Sequence, residues 1–335
     1  MVTLWIILGI TAFLVAAYFV IAYICYRMAF YVPDRDPNNY EVGGIPEGEI
    51  YEAFREAMEN WAAETKAMPH EQFSITTFDG LKLFGKYYEY EKGAPIELMF
   101  HGYRGNAQRD LSGGVQRCFA LKRSALIVDQ RCSERSEGNT ITFGIKEHKD
   151  CLCWVDFMVQ HFGPDVKIIL TGISMGASTV LMASGCPLPP NVIGVLADCG
   201  YNSAKDIIQK VIGQLKLPVK ISYFFVKSGA RIYGHFDLEE TSPEEALKNC
   251  KVPVIFFHGE NDEFVPCAMS RINYDACPTR KELVTIPGAG HGLAFPVDQE
   301  AYLKGKTARR EFLKSLICKI QNLVQICHIV KTYRF

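Results

Sequence analysis

Six short runs of apolar, mostly β-branched residues constrain the fold of this 335-residue chain most strongly. The runs are IELMF (96–100), ALIVD (125–129), VKIIL (166–170), VIGVLA (192–197), VPVIFF (252–257) and ELVTI (282–286). Such nearly continuous hydrophobicity is typical of strands that are buried on both faces. Helix-like stretches lie between them at 147–161, at 175–185 and from 300 onward. The alternation of strands and helices predicts an α/β fold, in which helices flank a mostly parallel sheet.

Two intervals depart from this alternation. Upstream, FSITTF and LKLFGKYYEY flank the dipeptide Asp79-Gly80, which is a strong signal for a β-hairpin. Downstream, residues 202–250 carry aromatic and basic clusters but no clear strand core, and the interval is too long for a bare connection. We expect it to form a small helical cap over the carboxyl edge of the sheet, where ligands of such folds bind.

The amino-terminal segment 2–26 contains 25 residues without a charged side chain. Because about 20 apolar residues suffice to cross a bilayer as a helix, we expect a single transmembrane anchor. A cleaved signal peptide is the competing interpretation, but it requires a basic start, a shorter apolar stretch and a small-residue cleavage site. Arg27 and Arg35 follow the segment, which favours a cytoplasmic location for the rest of the chain.

The remaining sequence divides into three parts. A juxtamembrane linker with one helix, expected at 49–68, spans 27–70, and the α/β domain with its cap spans 71–317. Residues 318–335 form a basic amphipathic extension, since positions 301–335 hold eight Lys and Arg against one acidic residue. Such a helix can lie on anionic lipid, although we expect its first half to pack on the sheet as an ordinary last helix.

Charge and cysteine content exclude several classes of protein. With 36 basic and 37 acidic residues the formal net charge is −1, which excludes a globally basic nucleic-acid binder. The 12 cysteines are scattered, a pattern typical of small core residues in a reducing compartment. Cys151 and Cys153 are separated by one residue and lack a matching His/Cys cluster, so we expect no metal site.

The strand VKIIL runs into Gly172-Ile173-Ser174-Met175-Gly176, which then opens a helix. This is the G-x-S-x-G nucleophile elbow in its strand-turn-helix context. A turn tight enough to expose the serine oxygen leaves no room for side chains at Gly172 and Gly176. The sequence therefore predicts Ser174 as a nucleophile, and the alternative is a glycine-rich turn without catalysis.

Two further polar residues follow later strands. Asp262 lies in the loop after VPVIFF, and His291 follows ELVTI within Ala289-Gly290-His291-Gly292. The order Ser, Asp, His is the one this fold requires for a catalytic triad, in which the histidine is the base and the aspartate orients it. Asp198 is a rival acid at another strand end.

Other polar residues near these strand ends fit structural roles. We expect His101 and His258 to be structural hydrogen bonders, Glu260 to be solvated and Cys199 to be a core residue.

An oxyanion hole is predicted upstream of the elbow. The strand IELMF leads into His101-Gly102-Tyr103, where this fold supplies one backbone N–H donor, and the residue after the nucleophile supplies the other. We therefore assign the two donors to the backbone N–H groups of Tyr103 and Met175.

These segments, together with Asp129-Gln130-Arg131, resemble the α/β-hydrolase superfamily over residues 72 to 317. Within it, the chain is similar to the membrane-anchored bacterial serine hydrolases of the serine aminopeptidase and monoacylglycerol-lipase-like branch. Relatives continue the Asp-Gln-Arg turn with Gly-His-Gly, whereas this chain has Cys132-Ser133-Glu134, which puts the local turn geometry in question.

The resemblance implies hydrolysis of carboxylic esters, thioesters or amides without a cofactor. We expect a small or lipid-like acyl ester as the substrate, because aromatic residues are frequent in the predicted cap. A peptidase or thioesterase with the same triad, and a non-catalytic binding protein of the same fold, are the alternatives.

Overall fold

The computed structural model describes residues 1–33, 45–46 and 48–304, and the predicted extension 318–335 lies outside them. Its strands are β1 (Glu71–Thr76), β2 (Lys82–Tyr88), β3 (Ile96–Phe100), β4 (Ser124–Asp129), β5 (Ile168–Ile173), β6 (Val192–Asp198), β7 (Val254–Gly259) and β8 (Lys281–Ile286). Its helices are α1 (Val2–Ala29), α2 (Glu49–Glu52), α3 (Arg55–Ala67), α4 (Ala107–Ala120), α5 (Glu147–Phe162), α6 (Met175–Ser184), α7 (Ala204–Gln214), α8 (Val219–Ile232), α9 (Pro243–Leu247), α10 (Cys267–Ala276), α11 (Ala294–Val297) and α12 (Gln299–Lys304).

The eight strands form one sheet in the order β1-β2-β4-β3-β5-β6-β7-β8. The pairs β1–β2 and β2–β4 are antiparallel, and the other five pairs are parallel. The predicted α/β class with a mostly parallel sheet is therefore confirmed, as is the hairpin at Asp79-Gly80. The parallel strands bring their carboxyl ends to one edge of the sheet, where polar loop residues can meet.

Burial follows the position of each strand in the sheet. All residues of β3, β6 and β7 are buried, as expected for strands covered on both faces. The prediction is wrong for ELVTI, because β8 is buried only at Ile286 and half-exposed at its other positions. The physical reason is that β8 is an edge strand, with a neighbour on one side only.

A buried ionic cluster fixes α4 against the sheet. Glu97, at the second position of β3, is fully buried and pairs with Arg117 of α4 and with Arg123. Burial raises the pKa of the Glu97 carboxyl, but the two guanidinium groups outweigh it and hold the pKa at about 2. Because a buried carboxylate without these partners would be costly, the cluster strongly constrains how α4 lies on β3.

Helix α1 extends three residues beyond the predicted segment and has two dissimilar halves. Of the described helices, it is the one long and apolar enough to cross a membrane by length and composition. Its large side chains near the amino terminus are exposed, whereas Ala22 and Tyr26 are buried, as are Phe30 and Val32 beyond it. One face of the carboxyl-terminal half therefore packs into the body of the protein, while Tyr23, Ile24 and Met28 stay exposed.

Three helices occupy the interval predicted to be a cap, as expected. They are α7, α8 and α9, and the apolar residues of α7 and α8 share a core with Met175 after the elbow and with the end of α1. The single helix expected at 49–68 is instead two helices, α2 and α3, separated at residues 53–54. The cap thus packs beside the start of α6, at the carboxyl end of β5.

Candidate active site

Ser174 lies in a strained turn between β5 and α6. Its backbone dihedrals are φ 56° and ψ −120°, a region that a side chain with a Cβ rarely adopts. A Cβ on Gly172 would collide with the backbone of Gly176, and one on Gly176 would collide with the carbonyl of Phe100. The two glycines therefore permit the sharp turn, and its strain is typical of a nucleophile elbow.

The fold brings the three predicted triad residues into hydrogen-bond contact. His291 Nε2 lies 2.9 Å from Ser174 Oγ, and His291 Nδ1 lies 2.7 Å from Asp262 Oδ2. With a neutral imidazole, Nδ1–H donates to the carboxylate and Nε2 accepts from the serine hydroxyl. This is the geometry that a serine nucleophile, its base and an orienting acid require.

Backbone and side-chain donors surround Asp262. Its Oδ1 accepts the N–H groups of Phe264 and Val265 at 2.9 and 2.8 Å, and Oδ2 faces His258 Nε2 at 3.3 Å in addition to His291. Burial raises the pKa of this carboxyl, but the hydrogen bonds from the two histidines outweigh it, and the pKa is about 2. Asp262 is consequently ionised at neutral pH.

His258 supports the acid directly. Its Nε2 lies 2.8 Å from the carbonyl of Val265 as well as near Asp262, and its Nδ1 lies 2.6 Å from Ser270 Oγ. Because both neighbours of Nε2 are acceptors, Nε2 carries the proton, and Nδ1 then accepts from the serine hydroxyl. The expected structural role of His258 agrees with this geometry, but its contact with Asp262 was not foreseen.

Two residues that the sequence analysis did not select hold His291. The hydroxyl of Tyr51 in α2 donates to the carbonyl of His291 at 3.1 Å, and burial raises the pKa of Tyr51 to about 12. The ring of Phe264 meets the imidazole edge to face, with 5.0 Å between the centroids. No local motif marks either residue, since both contacts depend on distant segments meeting in space.

The predicted oxyanion loop passes beside the nucleophile. A Cβ on Gly102 would lie 3.5 Å from Ser174 Cβ, and the N–H of Gly102 donates to Asp110 Oδ2 at 3.0 Å. Asp110, on α4, thus holds the loop that places Tyr103, and the sequence analysis missed it. Met175, the other expected donor, is the first residue of α6, where backbone N–H groups point out of the helix end.

The side chains of the oxyanion loop reach the end of α1. Tyr103 donates from its hydroxyl to the carbonyl of Ala29 at 2.8 Å. Arg104 Nη2 donates to the carbonyls of Met28 and Tyr31 at 3.0 and 3.2 Å. The last turn of the apolar helix is therefore hydrogen-bonded to the loop that carries a proposed oxyanion donor.

The unusual turn Cys132-Ser133-Glu134 keeps the geometry that glycines would favour. Cys132 and Glu134, the two positions at which the family resemblance leads us to expect glycine, adopt positive φ values of 67° and 48°, which costs roughly 1–2 kcal/mol per residue. Between them, Ser133 Oγ donates to the carbonyl of Gly105 at 2.8 Å. The departure thus links this turn to the oxyanion loop and leaves the triad untouched.

The rival acids have other partners. Asp198 Oδ2 accepts from the hydroxyl of Tyr302 at 3.0 Å, and its carbonyl accepts the N–H of Ser174 at 2.8 Å. Burial raises the pKa of Asp198. Glu260 accepts from Thr285 at an exposed site. Asp198 therefore supports the elbow, and the contact with the His291 imidazole belongs to Asp262.

A thiol completes the cluster of polar atoms. The ligand atoms of Cys199, Asp262 and His291 all lie within 4.8 Å of one another, which is a spacing that could hold a metal ion. Burial raises the pKa of the Cys199 thiol well above its usual value, and both oxygens of Asp262 already accept hydrogen bonds. The donor set therefore fits an acid–base pair beside a protonated core thiol better than a metal site.

Comparisons with known proteins agree on the fold. A scan against protein-family models finds no match. The protein YqkD of Bacillus subtilis (strain 168) is 24% identical over 198 residues, which are 58% of this chain and 63% of YqkD, so the match covers less than two thirds of that relative.

Solved structures with the same architecture include two hydrolases. The Pyrococcus furiosus esterase Pf2001 superposes with a TM-score of 0.61 at 20% identity, covering 83% of this chain and 99% of the esterase. The α/β hydrolase GrgF from a Penicillium species superposes with a TM-score of 0.58 at 16% identity, covering 75% of this chain and all of GrgF. At these identities the likeness establishes the fold alone.

Proposed function

We propose that this chain, which has the α/β-hydrolase fold, is a membrane-anchored serine hydrolase that cleaves carboxylic esters through an acyl-enzyme intermediate. The observation that carries the proposal is the contact series from Ser174 Oγ to His291 and from His291 to Asp262, at 2.9 and 2.7 Å. The esterase activity of a structural neighbour, Pf2001, is consistent with it.

The geometry assigns each residue a step. Ser174 Oγ attacks the ester carbonyl carbon while His291 Nε2 takes the hydroxyl proton, and ionised Asp262 stabilises the resulting imidazolium. The negative charge moves to the carbonyl oxygen, where the N–H groups of Tyr103 and Met175 receive it. His291 then returns the proton to the departing alcohol, and a water molecule hydrolyses the acyl-serine by the same route.

Packing of α1 supports a retained anchor over a cleaved signal peptide. Ala22 and Phe30 have no exposed surface, and Tyr26 and Val32 are nearly buried. Tyr26 also contacts Thr140 through a 2.7 Å hydrogen bond between their hydroxyl groups. Removal of α1 would expose this apolar surface and release the oxyanion loop, so the helix is an integral part of the folded enzyme.

An active-site fluorophosphonate probe tests the reaction class. The full-length protein in detergent should be labelled and Ser174→Ala should not. Ser228→Ala, at a partly exposed position on α8, should be labelled like the wild type. Failure of the wild type to react at any pH between about 6 and 9 would favour the non-catalytic binding protein.

A substrate panel separates the enzyme alternatives. We expect p-nitrophenyl esters to be cleaved faster than thioesters and aminoacyl amides of matched acyl groups, and long acyl chains to be favoured. Faster cleavage of the amides would identify a peptidase, and faster cleavage of the thioesters a thioesterase. The proposed cytoplasmic side is tested separately by protease protection in intact cells, where digestion of the domain from outside would contradict it.

A further inference from the structure

Exposed apolar side chains cluster at one end of the cap. Outside residues 1–29, eight large hydrophobic side chains are exposed among the described residues. Four of them lie within ten residues that span the turn from α7 to α8, which we name the cap tip (residues 215–224). They are Leu215 (60% exposed), Leu217 (49%), Ile221 (61%) and Phe224 (56%). Such a cluster on a soluble surface indicates an interaction site.

Contacts between α8 and α1 set the position of the cap tip along the apolar helix. A Cβ on Gly229 would collide with the backbone of Ala22 and approach Tyr26. Five residues earlier in α8, the ring of Phe224 lies 6.0 Å from that of Tyr18. The two helices therefore run in the same direction along this contact, and Phe224, at the end of the cap tip, lies beside the Tyr18 turn of α1.

The length of α1 then relates the cap tip to a bilayer. An α-helix needs about 20 residues to cross a hydrocarbon core of about 30 Å, which from Val2 extends past Tyr18. Tyr18 is three residues before the end of that span, so side chains beside it lie at the edge of the hydrocarbon, about 5 Å inside the boundary with the headgroups. The exposed side chains of Ile221 and Phe224 would therefore face lipid and not bulk water.

Lysines accompany the apolar residues. Lys216 precedes Leu217, and Lys220 precedes Ile221, so cations alternate with apolar side chains along the cap tip. Long lysine side chains can bury their methylene stems while the ammonium group reaches lipid phosphates. This combination matches a phospholipid surface, whereas the core of a protein interface is depleted of lysine.

We propose that the cap tip inserts into the headgroup region of the bilayer that α1 spans, so that anchor and cap together hold the catalytic domain against the membrane. The inference rests on the proposed anchor, and it deepens the proposed function by naming the source of the substrate. An acyl ester embedded in the same leaflet would reach the cap without crossing water. The expected substrate class is therefore a membrane lipid with an ester-linked acyl chain.

Depth-dependent fluorescence quenching tests the insertion. Full-length protein carrying Trp5→Phe and Phe224→Trp is reconstituted into phosphatidylcholine and phosphatidylglycerol vesicles whose acyl chains are brominated near the headgroup. The matched control carries Trp5→Phe and Phe78→Trp, because Phe78 is also exposed (51%) but lies outside the cap. Interfacial insertion should quench the tryptophan at 224 at least about twofold more than the one at 78.

The same vesicles distinguish failure of the inference from failure of the anchor. Trp61 and Trp154 are present in every variant, so the quenching that is lost on replacing Trp5 by phenylalanine reports the anchor. Catalysis is followed separately with a soluble short-chain ester. Quenching of Trp5 without quenching at position 224 would overturn the insertion while the anchor stands, and would indicate that a protein surface covers the cap tip. Absence of quenching at Trp5 would overturn the anchor and the insertion together.

A functional measurement completes the test. The double variant Ile221→Ser and Phe224→Ser should hydrolyse a vesicle-embedded long-chain ester about tenfold more slowly, because it loses the apolar area that partitions into lipid. Its kcat/KM for a soluble short-chain ester should equal that of the wild type, and Phe78→Ser should leave both rates unchanged. Equal rates of the double variant and the wild type on the embedded ester would contradict the proposal.

Discussion

The hydroxyl of Tyr103 donates a 2.8 Å hydrogen bond to the carbonyl oxygen of Ala29, which joins the proposed oxyanion loop to the last turn of the apolar helix. Arg104 adds bonds to two further carbonyls at this helix end. Carbonyl groups in the last turn of an α-helix have no N–H donor within the helix. The side chains of Tyr103 and Arg104 supply donors to them. The proposed anchor is therefore in direct contact with the loop on which the proposed oxyanion stabilisation depends.

Tyr103→Phe tests this relationship. The variant removes the bond to Ala29 and should lower kcat about fivefold at an unchanged KM, if the loss of about 1 kcal/mol falls on oxyanion placement. Tyr26→Phe is the matched control, since it removes the bond from α1 to Thr140 without touching the oxyanion loop. Both rates are measured with a soluble ester, and an equal decrease of kcat in the two variants would show a general structural effect.

The two acids at neighbouring strand ends should differ sharply in their effect on activity. Asp262→Asn should lower kcat by about 10⁴, the loss typical of a triad whose histidine is held in the wrong tautomer. Asp198→Asn keeps the backbone carbonyl that accepts from Ser174 and should retain activity within about tenfold. Steady-state ester hydrolysis measures both, and a larger loss in Asp198→Asn would make Asp198 the triad acid.

The same acids should give stability a pH dependence of opposite sign. The folded-state pKa of Asp262 is lowered to about 2, so its contribution is present above about pH 4 and is lost as the pH falls through 2. That contribution is about 2 kcal/mol at 1.4 kcal/mol per pKa unit. Burial raises the pKa of Asp198 in the folded protein. The free energy of unfolding should therefore fall as the pH rises above the ordinary pKa of an aspartate, because the carboxylate ionises more readily in the unfolded chain.

Urea unfolding in detergent between about pH 2.5 and 7 measures these contributions through the variants. Asp262→Asn should remove part of the acid-induced loss of stability, whereas Asp198→Asn should remove part of the loss that occurs on raising the pH. Only the slopes are compared, because each substitution also changes hydrogen bonds at every pH. Parallel curves for the wild type and both variants would contradict the assigned shifts.

Because α8 packs closely against α1, we expect a glycine-to-alanine substitution at their contact to lower stability, although alanine usually stabilises a helix. Gly229→Ala places a methyl group against the backbone of Ala22 and should destabilise the protein by about 1–3 kcal/mol through overpacking. Gly213→Ala in α7 is the control, because its Cβ would meet only Val219 at 3.8 Å. The control should be stabilised by roughly 0.5–1 kcal/mol, the gain of alanine over glycine in a helix.

The melting temperatures of the two alanine variants test this packing. Destabilisation of Gly229→Ala together with stabilisation of Gly213→Ala is the expected outcome. An increase of the melting temperature in both variants would show that α1 and α8 do not pack closely in the folded protein.

Much of the fold could be predicted because its signals are local. The strand cores, the Asp79-Gly80 hairpin and the elbow around Ser174 each depend on a few consecutive residues whose periodicity or turn chemistry has one favourable structure. Asp262 and His291 could be selected because the carboxyl ends of parallel strands must converge at one edge of the sheet. Their catalytic roles stay predictions until activity is measured.

Contacts between distant segments could not be predicted in the same way. Tyr51 carries no motif, yet its hydroxyl donates to the carbonyl of His291, which lies 240 residues later. The bond from Tyr103 to Ala29 also joins segments 74 residues apart. The half-exposure of β8 likewise depends on the sheet ending there, and no residue within β8 signals that position.

The sequence by itself determined the α/β class, the elbow and the order of the three candidate catalytic residues, because local periodicity and tight-turn sterics leave few alternatives. The sequence favoured Asp262 over Asp198 as the acid, and only the tertiary structure showed that Asp262 contacts His291 while Asp198 accepts from Tyr302. It alone decided that Tyr103 is held by the end of the apolar helix. Such decisions depend on which side chains meet when separate elements pack, and packing is a property of the whole chain.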